Sequence, residues 1–124
     1  MKYIPNTYGG TICDGVVVDM GAHKMVYVSG LVGSDADGKV TAPTIEAEAE
    51  LCFANLRRVM TEAGGTMADI VQIVAYVTEL EHYVPYRAAR NVAFDDKFPA
   101  SATVQVAGLL IGARIEIHAT GIIR

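Results

Sequence analysis

Phe98-Pro99-Ala100-Ser101-Ala102-Thr103-Val104-Gln105-Val106 and Arg114-Ile115-Glu116-Ile117-His118-Ala119-Thr120 are the two segments on which the reading of this chain turns. Both read as strands, joined by an apolar stretch punctuated by Gly108 and Gly112. Side chains alternate along a strand, so Ile115, Ile117 and Ala119 point one way and Arg114, Glu116, His118 and Thr120 the other. Glu116 and His118 therefore share a face, the one place where titratable groups line up on an element instead of scattering over loops. Such a pair serves either as a base with its helper or as the ordinary polar face of a half-buried strand. Spacing alone does not separate these two roles.

Working upstream, Ile70-Val71-Gln72-Ile73-Val74-Ala75-Tyr76-Val77 is apolar on both faces, as expected of a central strand covered on both sides or by helices on one side and a partner subunit on the other. Pro85 is expected to start a helix running to about Asp96, with Tyr86, Ala89 and Ala93 inward. Ile45 to Ala63 is the strongest helix: Ile45, Ala49, Cys52, Leu56, Val59, Met60 and Ala63 recur at spacings of three and four. Pro43 suits its first turn, and Gly64-Gly65 supplies a left-handed stop. Val16-Val17-Val18 and Met25-Val26-Tyr27-Val28 predict an antiparallel hairpin turning near Gly21. Met1 to Thr11 reads as an irregular arm or short edge strand. The order is β-β-α-β-α-β-β, an α+β domain without repeats or linkers.

A chain of 124 residues is one domain, 1–124, with room for one core. Its hydrophobic share of 52% against 19% charged residues exceeds what so small a domain hides alone, which points to an oligomer. The net charge of -4 and the lack of a basic patch argue against nucleic acid as a partner. No apolar run reaches the ~18 residues a membrane helix needs, and no signal peptide is expected. Cys13 and Cys52 lack metal-type spacing and are expected as reduced thiols in a cytoplasmic protein. Cys52, on the apolar stripe of the helix, is expected to pack as a small hydrophobe.

Other chemistry is sparse. Arg87 and Arg90, three apart on the second helix, either clamp a carboxylate or solubilise an exposed face. Ser101 has no strand-turn-helix elbow around it, so a serine nucleophile is not expected. Gly9-Gly10 and Gly64-Gly65 fit no phosphate-binding loop. His23 and His82, in predicted turns, are expected to be solvated and do not complete a metal site.

An ordered set of segments resembles the Rid superfamily of YjgF-type proteins. It comprises Val26-Tyr27-Val28-Ser29-Gly30, Ala54-Asn55-Leu56-Arg57-Arg58-Val59, Glu62-Ala63-Gly64-Gly65 with Asp69-Ile70-Val71, Phe98-Pro99-Ala100, and Ile115-Glu116-Ile117. The resemblance implies a chorismate mutase-like fold with two helices on one face of a sheet. It also implies a homotrimer with a barrel-like core and ligand clefts between subunits. Active members of that family hydrolyse imines and enamines to ketones and ammonia without metal or cofactor. By that likeness Glu116 is the catalytic residue that positions the attacking water, while Ser29, Gly30, Thr103 and His118 line the substrate cleft. The arginine that the family places after Pro-Ala is Ser101 here, which leaves Arg87, Arg90 or Arg114 as candidate substrate anchors. The implied function is a divergent hydrolase or deaminase acting on a small imine, enamine or related C–N compound. The alternatives are a non-catalytic binder of small metabolites and, third, an endoribonuclease.

Overall fold

The alternating β-branched runs and the two periodic stretches become strands and helices where the pattern places them. The computed structural model describes residues 1–124. In chain order they form β1 (Lys2–Pro5), β2 (Cys13–Asp19), β3 (Lys24–Val32), α1 (Ile45–Ala63), β4 (Ile70–Val77), α2 (Tyr83–Phe94), β5 (Ala100–Gln105) and β6 (Ile115–Ile123). One six-stranded sheet runs β1-β2-β3-β6-β4-β5, antiparallel except for the parallel pair β4–β5. The expected element order and α+β class are present, and the N-terminal segment supplies β1 as an edge strand. The β2–β3 hairpin closes with Met20 N–H donating to the His23 carbonyl at 2.8 Å and with Gly21 at φ 91°.

Although consecutive, β5 and β6 are not neighbours, because β4 lies between them. Parallel strands cannot be joined by a tight turn, so the β4-to-β5 connection is a crossover, and α2 provides it. That helix begins at Tyr83, two residues before the expected Pro85. Proline is tolerated there because amide hydrogens in the first turn of a helix have no carbonyl to reach.

Thr44 caps α1, its hydroxyl accepting from Ala47 N–H at 3.1 Å, so the helix starts just after Pro43. Its far end closes at Gly64, φ 91°, with Gly65 N–H donating to the Met60 carbonyl at 2.9 Å. The apolar stripe from Ala49 through Cys52, Leu56, Val59, Met60 and Ala63 is buried against Val26, Val28, Ile73, Ile115 and Ile117 on one sheet face. Each large side chain so removed from water contributes about 1.5–3 kcal/mol. Phe53 extends this core to α2, its ring centroid 5.7 Å from Tyr86 and 5.9 Å from Phe94. Tyr86 is fully buried with its hydroxyl unpartnered, and burial pushes its pKa up to about 12. Cys52 is core, as expected: it is fully buried, its thiol donates to the Ile115 carbonyl at 3.8 Å, and burial raises its pKa far above the ordinary value.

One polar residue sits inside this core. Glu48 is 0% exposed, and its carboxylate accepts from Arg114 N–H and Arg114 Nε, both at 2.7 Å, and from Ile115 N–H at 3.1 Å. Arg114 also donates from Nη2 to the Ala42 carbonyl at 2.9 Å. The carboxylate thereby ties the start of β6 to the first turns of α1. The other sheet face has no helix over it and carries Tyr3, Tyr27, Val71 and Val104, all exposed.

Two outcomes test this packing. Glu48→Ala leaves the Arg114 guanidinium without its carboxylate, and chemical denaturation is expected to show a loss of roughly 3–5 kcal/mol; a loss indistinguishable from that of a surface mutant would remove the pair from its structural role. A thiol reagent is expected to label one cysteine, Cys13, under native conditions and both only after unfolding, because Cys13 is partly exposed and Cys52 is not.

Candidate active site

Between Val28↔Ala119 and Leu31↔Ile117 the β3–β6 register shifts, so Ser29 and Gly30 together oppose a single residue, His118. This bulge bends β3 where Glu116 leaves β6 opposite Val32. Glycine leaves room there: a Cβ on Gly30 would lie 2.6 Å from Glu116 Oε2 and push the carboxylate aside. The half-buried Glu116 carboxylate therefore rests on bare backbone, and no side chain or amide of the chain hydrogen-bonds to it.

Beside Glu116 opens a cavity of about 210 Å³, below the ~300–1,000 Å³ typical of sites for drug-sized ligands. Asp14 from β2 and Arg58 from α1 form one wall, with Arg58 Nη2 donating to Asp14 Oδ2 at 2.9 Å. Asn6 Nδ2 donates to the other Asp14 oxygen at 2.9 Å, and Arg58 Nη1 reaches Glu62 at 3.2 Å. Partial burial works to lower the Arg58 pKa, but the hydrogen bonds it donates to Asp14 and Glu62 outweigh it and hold the guanidinium above its ordinary value. Asn55 braces the next wall, its Nδ2 donating to the Val32 carbonyl at 2.9 Å and to Ser34 Oγ at 3.2 Å.

Two loops finish the rim. Tyr8 lies over Gly38, φ 77°, where a Cβ would come 3.0 Å from its ring, and its hydroxyl donates to the Asp35 carbonyl. Leu110 and Ile111, both exposed, close the opposite lip. Ile111 is held at φ 52°, ψ 29°, a left-handed conformation costing a β-branched residue about 1–2 kcal/mol.

Of the residues singled out in the sequence, Glu116 and Gly30 meet in this cavity. Ser29 stands beside it and donates from Oγ to the Cys13 carbonyl at 2.7 Å. His118 lies further along β6, edge-on to Tyr76 at 5.5 Å. Ser101 and Thr103 are on β5 and do not line the cavity. Arg87 and Arg90 lie over the Tyr83 ring at 5.6 and 5.9 Å, and Arg90 Nη1 reaches Ser101 Oγ at 3.4 Å. Arg114, expected to share the Glu116 face, instead turns back to Glu48 and lies outside β6. His82 is half-buried rather than solvated, with Nδ1 enclosed and unpartnered. No three His, Cys, Asp or Glu side chains come together as a metal-holding group.

Asp14, Arg58 and Asn55 were not singled out as site residues. Asp14 stands alone before an apolar run, and its partner lies 44 positions away, a separation that no local pattern marks.

The family model described as Endoribonuclease L-PSP matches residues 16–123. The human 2-iminobutanoate/2-iminopropanoate deaminase is 28% identical over 114 residues, covering 91% of this chain and 80% of the relative. The protein of the same name from Dermatophagoides farinae is 32% identical over 100 residues, covering 79% and 77%. Among solved structures, RidA from an Antarctic Psychrobacter superposes with a TM-score of 0.88 at 28% identity, covering 99% of this chain and 100% of that one. TdcF of E. coli with bound serine gives 0.85 at 26% identity, covering 100% and 99%. With the sheet and its two helices in agreement and the family model matching residues 16–123, this chain belongs to the Rid (YjgF-type) family.

Proposed function

We propose that this chain is a divergent Rid-family hydrolase that deaminates a small reactive imine, enamine or related C–N compound, with Glu116 as its general base and no cofactor. The observation that carries this reading is a half-buried carboxylate without a partner, set over Gly30 in a small cavity. A base must have its lone pairs free and its water within reach, and Glu116 meets the first condition. Relatives named as 2-iminobutanoate/2-iminopropanoate deaminases support the reaction class.

In the proposed reaction, water adds to the carbon of the protonated imine as Glu116 takes a proton from it, giving a carbinolamine. Glu116 then protonates the nitrogen, the C–N bond breaks, and the hydroxyl proton passes to the departing ammonia as the oxygen closes to a carbonyl, leaving ammonium. The carboxylate emerges ionised and ready for another turnover.

The working unit is proposed to be a cytoplasmic homotrimer with the substrate cleft between subunits. The uncovered sheet face bearing Tyr3, Tyr27, Val71 and Val104 supports burial against other copies. In that assembly Ser101, Thr103, Ser29, His118, Arg87 and Arg90 are proposed to line the cleft. No helix is long and apolar enough to cross a membrane. An endoribonuclease reading, suggested by the family model's description, is disfavoured by the net charge of -4, which opposes a phosphate backbone.

Two variants test the role of Glu116. Against a panel of imines generated in situ, with and without a carboxylate, Glu116→Ala is expected to lower kcat/KM by about 10²–10⁴-fold on whichever is hydrolysed; equal rates would remove Glu116 from the reaction. Gly30→Ala places a methyl group 2.6 Å from Oε2, and a comparable fall in kcat is expected while the thermal transition stays cooperative.

A further inference from the structure

Which guanidinium of this chain is free to hold a ligand follows from what each one already holds. Arg58 is taken by Asp14 and Glu62, and Arg114 by the buried Glu48. Arg57 reaches the Ala93 carbonyl from Nη2 at 3.5 Å. No carboxylate pairs with Arg87 or Arg90 on α2. Of these two, Arg90 is the one fixed in place: it is half-buried, with its guanidinium carbon 5.9 Å from the Tyr83 ring centroid and 5.8 Å from that of Tyr86. Arg87 is exposed and lies over Tyr83 alone, at 5.6 Å, without a bond to β5.

The donors of Arg90 are under-used. Nη1 donates to Ser101 Oγ and Nη2 to Asn91 Oδ1, both at 3.4 Å, longer than the ~2.7–3.2 Å of a well-made N–H···O bond. Ser101 pairs with Ile73 of β4, so its side chain points to the helix-bearing face of the sheet, toward α2. It is exposed, and β5 is an edge strand with no neighbour beyond it. Guanidinium and hydroxyl thus stand side by side at an open edge, two donors with no acid between them. A carboxylate accepts from such a fork in short, charge-assisted bonds. Stacking on two rings has already cost the arginine much of its rotamer freedom, so a ligand need not order it again.

We propose that Arg90 is the specificity-determining residue of the intersubunit cleft, seating a ligand carboxylate from α2 with Ser101 Oγ as a further donor. This assignment rests on the cleft of the proposed hydrolase being bordered by β5. The charge missing at position 101 is then supplied from the neighbouring helix, across the 3.4 Å that separates Arg90 from Ser101. The serine has a use of its own: a small side chain at this point leaves room for the anion beside the guanidinium.

Isobutyrate and isobutyramide have nearly the same shape and differ in charge, and calorimetric titration of the intact protein with each tests the seat. Isobutyrate is expected to bind at least about tenfold tighter than the amide, and Arg90→Gln to abolish that advantage. Ser101→Arg in the Arg90→Gln background is expected to restore it. Lys97→Gln, which removes a positive charge from a different hollow beside Met20 and Ile122, is expected to leave it unchanged. Equal affinity for the two probes, binding of neither, an advantage that survives Arg90→Gln, or an equal loss in Lys97→Gln overturns the inference. Turnover is read separately with 2-iminopropanoate released by an amino-acid oxidase: Arg90→Gln is expected to raise KM at least about tenfold and to leave kcat within a few-fold. A fall in kcat at unchanged KM overturns the inference and leaves imine hydrolysis intact. Arg90-dependent binding of isobutyrate with no imine hydrolysed sinks the hydrolase reading while the anchor stands.

Discussion

A carboxylate in the middle of an apolar core holds this molecule in register. Glu48 offers its oxygens to two successive backbone amides, at Arg114 and Ile115, and to the Arg114 guanidinium. Taking an ion out of water is expensive, and the expense is met only because every partner is in hydrogen-bond geometry. Glu48 belongs to the first helix and Arg114 to the approach of the central strand, so the bond fixes where that strand begins. A carboxylate two residues further on then has only one place to project. Close approach enforces the same placement from another side, since a Cβ at Gly33 would come within 2.4 Å of the Glu48 carbonyl oxygen.

The cavity inherits its shape from that anchor. The bulge at Ser29 and Gly30 makes room where the Glu116 side chain emerges, and the Asp14–Arg58 pair ties the hairpin to the first helix across the opening. These supports come from different parts of the chain. Glu116 is thus held by the fold of a single subunit, whereas Ser101 and Thr103 sit on an edge strand separated from it by β4. The proposed base and the proposed anchor position are thus mounted on different strands.

Much of the fold was legible in the sequence because it is local. The stripe from Ile45 to Ala63, the glycine stop after it and the β-branched runs each announce their element within a few residues. The alternation around Glu116 placed its neighbours Ile115, Ile117 and Ala119 correctly in the core. Alternation failed one residue earlier, at Arg114, because the strand had not yet begun and the side chain was free to turn toward a buried acid. Glu48 itself gave no sign, lying among other helix glutamates from which burial alone distinguishes it. Asp14 and Arg58 were invisible for a related reason: a pair that closes across the fold leaves no periodic trace.

The strand order has a temporal consequence. β6 follows every other strand in sequence yet occupies the interior of the sheet, between β3 and β4. Until it inserts, the hairpin and the β4–β5 unit form two separate halves, each presenting an unpaired edge. A chain emerging from the ribosome must hold those edges apart until its final segment appears, and such long-range pairing is slow, on the order of milliseconds to seconds. The strand that bears Glu116 is therefore also the one that seals the sheet, so Glu116 reaches its place beside Gly30 only when folding is finished.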